Sequence, residues 1–158
     1  MKINEIITEF EVKPYEFKKL QLKTAVRLLN KHCSEALGLL QNPIWRGMRN
    51  HTEEILRLDP TTGERASHNT SNHYTQLIDN SPYFRGWPKR SHSLICSSNL
   101  GRASSYSYGQ IKSVYAIFPY NGVKIAVCPG EDIWETNLSI PELNKDFDRL
   151  RQLNNFLR

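Results

Sequence analysis

The chain has 158 residues, of which 39% are hydrophobic and 23% charged, with a formal net charge of +5. This composition is typical of a globular protein with one ordinary core, and no apolar run approaches the roughly 20 residues that a membrane-spanning helix needs. Three widely spaced cysteines without a C-x-x-C pair argue against a disulfide framework and a zinc site. The positive charge favours anionic partners, including nucleic acid, although the basic residues form no dense run.

The first ten residues, Met1 to Phe10, contain one basic residue and no long apolar stretch, so they are not a secretory signal. They resemble the leaders of internal head proteins of T-even-type bacteriophages, which end in an aliphatic residue, any residue and glutamate. Ile7-Thr8-Glu9 matches that ending. The resemblance implies a virion protein that a phage protease cuts after residue 9 and that then enters the host cytoplasm. The alternative is an ordinary helical turn or a frayed terminus.

The first half of the chain is predicted to contain two helices, one strand and one loop. Apolar residues recur every three or four positions from Pro14 to Leu37, which predicts a helix that Gly38 ends. Ile44 to Arg49 is a predicted strand that carries Arg46 among apolar neighbours. Thr52 to Leu58 is predicted to be a short helix capped by Thr52, and residues 61–72 have the composition of a surface loop.

The second half is predicted to consist mainly of strands. Ser93 to Ser97 and Ile111 to Tyr120 are predicted strands, and Asn121-Gly122 predicts a hairpin with a return strand from Val123 to Val127. Gly101 to Tyr108 is predicted to be a short helix or a turn. Pro141 to Arg158 has the apolar spacing of a closing helix. These elements predict an α+β fold with N-terminal helices, antiparallel-rich central strands and a C-terminal helix, forming one domain over residues 10–158.

In this order the motifs resemble the ADP-ribosyltransferase fold. In that family a strand with an arginine is followed by a strand of small hydroxyl residues, a short helix with a tyrosine, and a late glutamate. Arg46 stands at the first position and Ser93 to Ser98 at the second, where the sequence is Ser-Leu-Ile-Cys-Ser-Ser. Tyr106 and Tyr108 stand at the third. Glu131 and Glu135 are the candidate acidic residues, although no Glu-x-Glu motif is present.

The resemblance implies that the protein uses NAD as a co-substrate and modifies a host protein or nucleic acid. Cleavage of the nicotinamide–ribose bond builds positive charge on the sugar, which a carboxylate stabilises in the transition state. The implied catalytic residues are Arg46, Glu131 and Glu135. The implied NAD-binding residues are Arg90 for phosphate, Ser93 or Ser97 for the ribose, and Tyr106 or Tyr108 for stacking on nicotinamide.

Each assignment has a structural alternative. Arg46 could form an ion pair with Glu53, Glu54 or Glu131, the serines could be ordinary edge-strand hydroxyls, Glu131 could be a solvated turn residue, and the tyrosines could be packing aromatics. Spacing of the histidines predicts no metal site. A different class of function is a non-enzymatic basic internal head protein that binds DNA or inhibits a host defence enzyme. Interleaved Arg, Lys and Tyr residues from Tyr83 to Tyr108 support that alternative.

Overall fold

The protein has an α+β architecture in which short helices accompany two small antiparallel sheets. The structure is a computed structural model and describes residues 14–65, 72–107, 111–128, 130, 144–146, 148–149 and 152. In chain order the elements are β1 (Phe17–Lys19), α1 (Leu22–His32), α2 (Ser34–Leu37), β2 (Ile44–Arg49), β3 (Leu56–Leu58), α3 (His73–Asn80), α4 (Leu100–Ser105) and β4 (Lys112–Ile117). Three 3-10 helices lie at Pro60–Thr62, Pro82–Phe84 and Arg90–His92.

Contacts within the chain cluster into two compact units. The first, here called the ribbon unit, comprises Tyr15–Pro60 and Leu94–Val123 and contains both sheets. The second, here called the turn unit, comprises Pro14 and the described residues of Thr61–Ser93 and Lys124–Arg158. The prediction of a single domain stays a prediction.

The first predicted helix is shorter than the apolar spacing indicated. Phe17–Lys19 is strand β1, so the prediction of helix at Phe17 was wrong, and the helix begins at Leu22. Its buried residue is Ala25, and α1 ends at His32 because Cys33 leaves helical geometry with φ −126°. The second helix, α2, then ends at Gly38, as predicted.

The segment predicted to be a helix from Thr52 to Leu58 forms strand β3 at its end. Leu56–Leu58 pairs antiparallel with β1, and Phe17 lies opposite Leu58. Leu20 also donates its backbone N–H to the carbonyl of Ile55 at 3.1 Å. Pairing with a strand some forty residues earlier therefore overrides the local capping signal, since burial and ladder hydrogen bonds outweigh helix propensity.

The predicted strand at Ile44 to Arg49 is confirmed as β2, and its partner is β4. All six residues pair, from Ile44 opposite Ile117 to Arg49 opposite Lys112. The predicted hairpin was wrong, because residues 123–128 form no strand and Val123, Ile125 and Val127 are exposed. A turn does form at Asn121-Gly122, where Gly122 has φ +76°, a conformation that favours glycine.

Asn121 explains why the turn does not open a hairpin. Its backbone N–H donates to the carbonyl of His32 at 2.6 Å, and its side chain contacts both the backbone N–H of Glu35 and the hydroxyl of Ser34. The turn is thereby anchored to the junction of α1 and α2. Cys33, buried at that junction, also donates its thiol to the carbonyl of Phe118.

Helix α4 confirms the prediction of a short helix or turn after Leu94 to Ser98, here called the serine-rich segment. Asn99 caps it by accepting the backbone N–H of Arg102 at 3.0 Å. Before it, the strand predicted at Ser93 to Ser97 is reduced to a single antiparallel bridge between Ser97 and Trp45. That bridge sets the serine-rich segment beside β2.

The turn unit is built around α3. Tyr74 and Ile78, one helical turn apart, are buried together with Phe84 of the following 3-10 helix. Farther along the chain, residues 144–146, 148–149 and 152 are helical, which agrees with the predicted closing helix. The rest of that stretch, including its apolar positions, lies outside the described residues, as do residues 1–13 with the leader. Across the described ranges, no helix is long and apolar enough to cross a membrane.

Candidate functional site

Arg46 lies in the middle of β2, opposite Tyr115 of β4. Its Nη1 donates a hydrogen bond of 2.6 Å to the backbone carbonyl of Ile95. Ile95 precedes Ser97, whose backbone exchanges two hydrogen bonds with Trp45 at 2.7 and 2.9 Å. The guanidinium therefore reaches across from β2 to the serine-rich segment that runs beside it.

The two faces of β2 differ in what covers them. Side chains alternate between faces along a strand, so Gly47 faces one way and Arg46 the other. A methyl group at Gly47 would lie 2.1 Å from the carbonyl oxygen of Ala103, which puts α4 on the Gly47 face. On the Arg46 face, the hydroxyl groups of Ser113 and Tyr115 each donate at 2.7 Å to backbone carbonyls, those of His51 and Glu53 respectively.

Arg46 is half-buried, and among the described residues no carboxylate forms an ion pair with it. Burial lowers the pKa of Arg46, while the ionisable groups of Cys96, Tyr15 and Tyr106 act on it in the opposite direction. A buried cation is costly unless an anion or several acceptors surround it. One carbonyl uses a small part of a guanidinium that carries five N–H donors. The remaining donors of the planar guanidinium suit an oxyanion such as phosphate, two of whose oxygens can accept at once.

The structural alternative for Arg46 was an ion pair with a nearby glutamate. Glu53 instead lies 3.8 Å from His51 Nδ1, and its carboxylate accepts the backbone N–H of Thr52 at 3.2 Å. Glu54 forms no ion pair with Arg46, and Glu131 lies outside the described residues. Within the described part of the chain, the ion-pair interpretation thus has no partner for Arg46.

Cys96 lies near Arg46 on the neighbouring segment, and Ser97, which pairs with Trp45, directly follows it. Burial raises the pKa of the Cys96 thiol to about 11, an effect that Arg46 partly opposes. The thiol is therefore protonated at neutral pH and is not a reactive nucleophile. The Ser97 hydroxyl accepts a hydrogen bond of 3.0 Å from the backbone N–H of Asn99, just before α4. Its own O–H group can still donate to a further acceptor.

Tyr106 directly follows α4 and is 48% exposed, which leaves its ring free to contact a ligand. Arg46, Ser97 and Tyr106 all belong to the ribbon unit. Three further predicted site residues, Tyr108, Glu131 and Glu135, lie outside the described residues.

Arg90 and Ser93 belong to the turn unit, where they have structural contacts. The carboxylate of Asp79 accepts the backbone N–H groups of Arg90 at 2.5 Å and Ser91 at 3.1 Å, which starts the 3-10 helix. Arg90 Nη1 donates to the hydroxyl of Thr75 at 3.4 Å. The hydroxyl of Ser93 donates to the carbonyl of Lys89. These contacts hold a turn in shape and give Arg90 and Ser93 a role that needs no ligand.

Two residues near Arg46 were not predicted from the sequence. Cys96 could have been found, because it precedes Ser97 in a segment that was predicted to be a strand. Tyr15 could not, since it precedes a strand that was predicted to be helix and carries no motif. Their electrostatic effect on Arg46 identifies both as neighbours.

The described ranges contain no group of three or more His, Cys, Asp or Glu residues that could hold a metal ion. No family model, no curated protein and no solved structure matches this chain. The case for a function therefore rests on the residues themselves.

Proposed function

We propose that this chain is an NAD-dependent mono-ADP-ribosyltransferase-like protein of a tailed phage that modifies a host macromolecule. The observation that carries the proposal is Arg46, a half-buried guanidinium whose strand is bridged to Ser97 and which no described carboxylate neutralises. Arginine in such a position binds phosphate well, because its donors match two oxygens at once. The pyrophosphate of NAD supplies those oxygens.

The proposed reaction breaks the bond between the ribose C1′ and the nicotinamide nitrogen. Nicotinamide leaves with the bonding electron pair, and an acceptor nucleophile forms the new bond to C1′ and loses a proton. Arg46 holds the pyrophosphate, Ser97 orients the ribose, and Tyr106 or Tyr108 stacks on nicotinamide. The carboxylate of Glu131 or Glu135 stabilises the positive charge that develops on the ribose.

The phage assignment rests on the leader pattern Ile7-Thr8-Glu9. A leader of this type predicts that the protein is packed into the head, shortened after residue 9 and delivered with the genome to the host cytoplasm. Mass spectrometry of mature virions tests this directly. A chain that begins at residue 10 is the expected result, and a full-length chain in mature particles would remove the support for the leader.

The activity is tested by incubating the purified full chain with a bacterial lysate and NAD that is labelled on its adenylate phosphate. We expect label on a protein or nucleic-acid acceptor, and a loss of at least about 100-fold in Arg46→Ala, the usual cost of removing one charge-stabilising donor. Either Glu131→Gln or Glu135→Gln should show the same loss of labelling. The variant that shows it identifies the carboxylate that acts in the reaction.

The matched control is Arg49→Ala, which removes an arginine from the same strand but from the opposite face. It should keep its labelling activity. Equal activity in wild type and Arg46→Ala, with both proteins folded, would refute the site. Binding of NAD without transfer of label would instead indicate a transferase fold that has lost turnover.

A second candidate is a non-enzymatic basic internal protein that binds DNA or inhibits a host defence enzyme. The observation in its favour is the exposure of Tyr83 and Trp87, each 48% exposed, beside the exposed Arg85 and Lys89. Exposed aromatic rings next to cations suit base stacking and phosphate contact. Absence of both label and NAD binding in the experiment above would favour this candidate.

A further inference from the structure

Helix α1 carries a row of three exposed cations, here called the basic stripe: Lys23, Arg27 and Lys31. They are spaced four residues apart, so they lie on one side of the helix about 6 Å apart along its axis. The helix contains no acidic residue anywhere between Leu22 and His32. The stripe is therefore uniformly positive along its whole length.

The basic stripe points away from the protein interior. Ala25 is the buried residue of α1, and the directions of Ala25 and Arg27 are separated by about 160° around the helix axis. None of the described carboxylates forms an ion pair with any of the three cations. The three side chains are exposed, and their charges have no partner within the described part of the protein.

This arrangement is electrostatically unfavourable for an isolated helix. Like charges four residues apart repel one another, and the stripe contains two such pairs. Lys23 also lies in the first turn, where the positive end of the helix dipole disfavours a cation. The helix that carries these mutually repelling cations gains stability when a polyanion lies along it.

Further cations adjoin the C-terminal end of α1. The ring of His32 stacks on Tyr120 with centroids 5.3 Å apart, and the guanidinium of Arg57 lies 5.7 Å from the centre of the same tyrosine ring. Lys18 stands directly opposite Arg57 in the β1–β3 pair, and both are exposed. The positive surface thus continues beyond Lys31 onto the small sheet.

We propose that the basic stripe binds the sugar–phosphate backbone of a nucleic acid. Evenly spaced cations on a helix match the repeating charge of a phosphate backbone, and Asn30, which is exposed beside them, adds a hydrogen-bonding group. Leu22 and Val26, although 69% and 46% exposed, lie on the flank of α1 and not among the cations. A membrane-bound helix instead buries a broad apolar face in the lipid, whereas in α1 Ala25 is buried and Leu28 and Leu29 are half-buried within the protein. The proposal holds whether or not the protein uses NAD.

The test compares two triple variants of the full chain that remove the same charge. One is K23Q/R27Q/K31Q, and glutamine is chosen because it keeps helix propensity high. The control is K124Q/K145Q/R149Q, which removes three exposed cations of the turn unit. Binding to a fluorescently labelled DNA duplex is measured by anisotropy between about 50 and 200 mM salt, without NAD.

We expect the logarithmic salt slope of binding to fall by about 3 in the stripe variant, roughly one for each phosphate that a cation no longer neutralises. The control should keep most of its slope. Equal decreases in both variants would show that net charge alone matters and would overturn the proposal. Binding of the wild type to phosphatidylserine vesicles but not to DNA would overturn it as well.

Folding of each variant is checked by circular dichroism and thermal unfolding. If the triple variant does not fold, Arg27→Gln alone is measured, with an expected fall of about 1 in the slope. An unchanged slope in folded Arg27→Gln would refute the proposal. Because these measurements contain no NAD, their outcome is independent of the transferase test.

Discussion

The two faces of the β2–β4 ribbon differ in how much room they leave for the side chains of adjacent residues in β2. On one face, Gly47 lies so close to α4 that even a methyl group would meet backbone atoms. On the other, Arg46 extends a long cationic side chain whose hydrogen bond, among the described residues, is accepted by the carbonyl of Ile95. Packing requires glycine at position 47, whereas nothing in the packing of the described residues requires Arg46 to be charged.

The polar groups around Arg46 make the contrast sharper. Ser113 and Tyr115, on the same face, each donate a hydroxyl proton to a carbonyl, so their hydrogen-bonding needs are met within the fold. Arg46 is the member of this face whose charge the described residues leave uncompensated. A side chain that stability does not explain is a good candidate for ligand binding.

The largest effect is expected for Gly47→Ala. The new methyl group would lie 2.1 Å from the Ala103 carbonyl oxygen and 2.8 Å from the Ser107 nitrogen, both of them backbone atoms that cannot rotate away. Overpacking of this kind costs about 3 kcal/mol or more, because α4 must separate from β2. Urea unfolding monitored by circular dichroism measures the loss.

Gly101→Ala is the matched control, since it adds the same methyl group within α4. The closest atom to that methyl group is the side-chain oxygen of Asn99 at 3.3 Å. Alanine in a helix is favoured over glycine by about 1 kcal/mol, so this variant should be unchanged or slightly more stable. If both variants unfold at the same urea concentration as wild type, α4 does not close this face of β2.

The next effect concerns Cys96, beside Arg46. Burial raises the pKa of this thiol to about 11 from its ordinary value of 9.0. A raised pKa contributes stability that is fully present below pH 9 and is lost as the pH rises toward 11, because only the unfolded thiol ionises in that range. We expect the difference in unfolding free energy between wild type and Cys96→Ala to fall by about 2 kcal/mol from pH 8 to pH 11.

Taking the difference between wild type and Cys96→Ala removes the contributions of the other groups that titrate between pH 8 and pH 11. Burial also raises the pKa values of Cys33 and Tyr115, but both are present in wild type and variant alike. Their contributions cancel in the difference. A difference that stays constant from pH 8 to pH 11 would mean that the Cys96 thiol is solvated and that the Arg46 side of the ribbon is open to water.

Local signals in the sequence predicted some elements well. The strand Ile44–Arg49 was predicted from its apolar residues and formed as expected. The segment from Gly101 to Tyr108 was predicted to be a short helix or a turn, and the helix Leu100–Ser105 forms there. The predictions for Leu56–Leu58 and for Val123 to Val127 were wrong for a common reason. Each depended on which strand it would pair with, and the pairing is decided by segments distant in sequence, as when β4 joins β2 and leaves Val127 exposed.

The candidate site could be predicted only in part for the same reason. Arg46 was found because a cation in an apolar strand is unusual at the sequence level. The position of Cys96 near Arg46 depends on the bridge between Ser97 and Trp45, and the position of Tyr15 depends on the course of the chain before β1. Arg90 was predicted to be a phosphate ligand by residue type, and only the structure reveals its contact with Thr75.

The smallest effect is also the most informative, because it depends on the sign of a stability change. Arg46→Met keeps the length of the side chain but removes the charge and the 2.6 Å hydrogen bond to Ile95, whose carbonyl lies in a residue that is 39% exposed. The gain from no longer burying a cation offsets the missing hydrogen bond, so the free energy of unfolding should change by less than about 1 kcal/mol. Arg49→Met serves as the control on the opposite face.

Loss of a buried ion pair would instead cost about 3–5 kcal/mol, since the partner carboxylate would be left without a counterion. Urea unfolding of Arg46→Met therefore decides whether this arginine stabilises the fold or serves a ligand. In the second case the variant keeps its stability but is no longer stabilised against heat by ADP-ribose, which wild type should bind through its phosphates. A second readout is alkylation of Cys96, which should become slower in Arg46→Met because the nearby charge that lowers the thiol pKa has been removed. Three results are expected together for Arg46→Met: its stability is unchanged, ADP-ribose no longer stabilises it, and Cys96 is alkylated more slowly. They would show that the charge of Arg46 is kept for an anion that the fold itself does not provide.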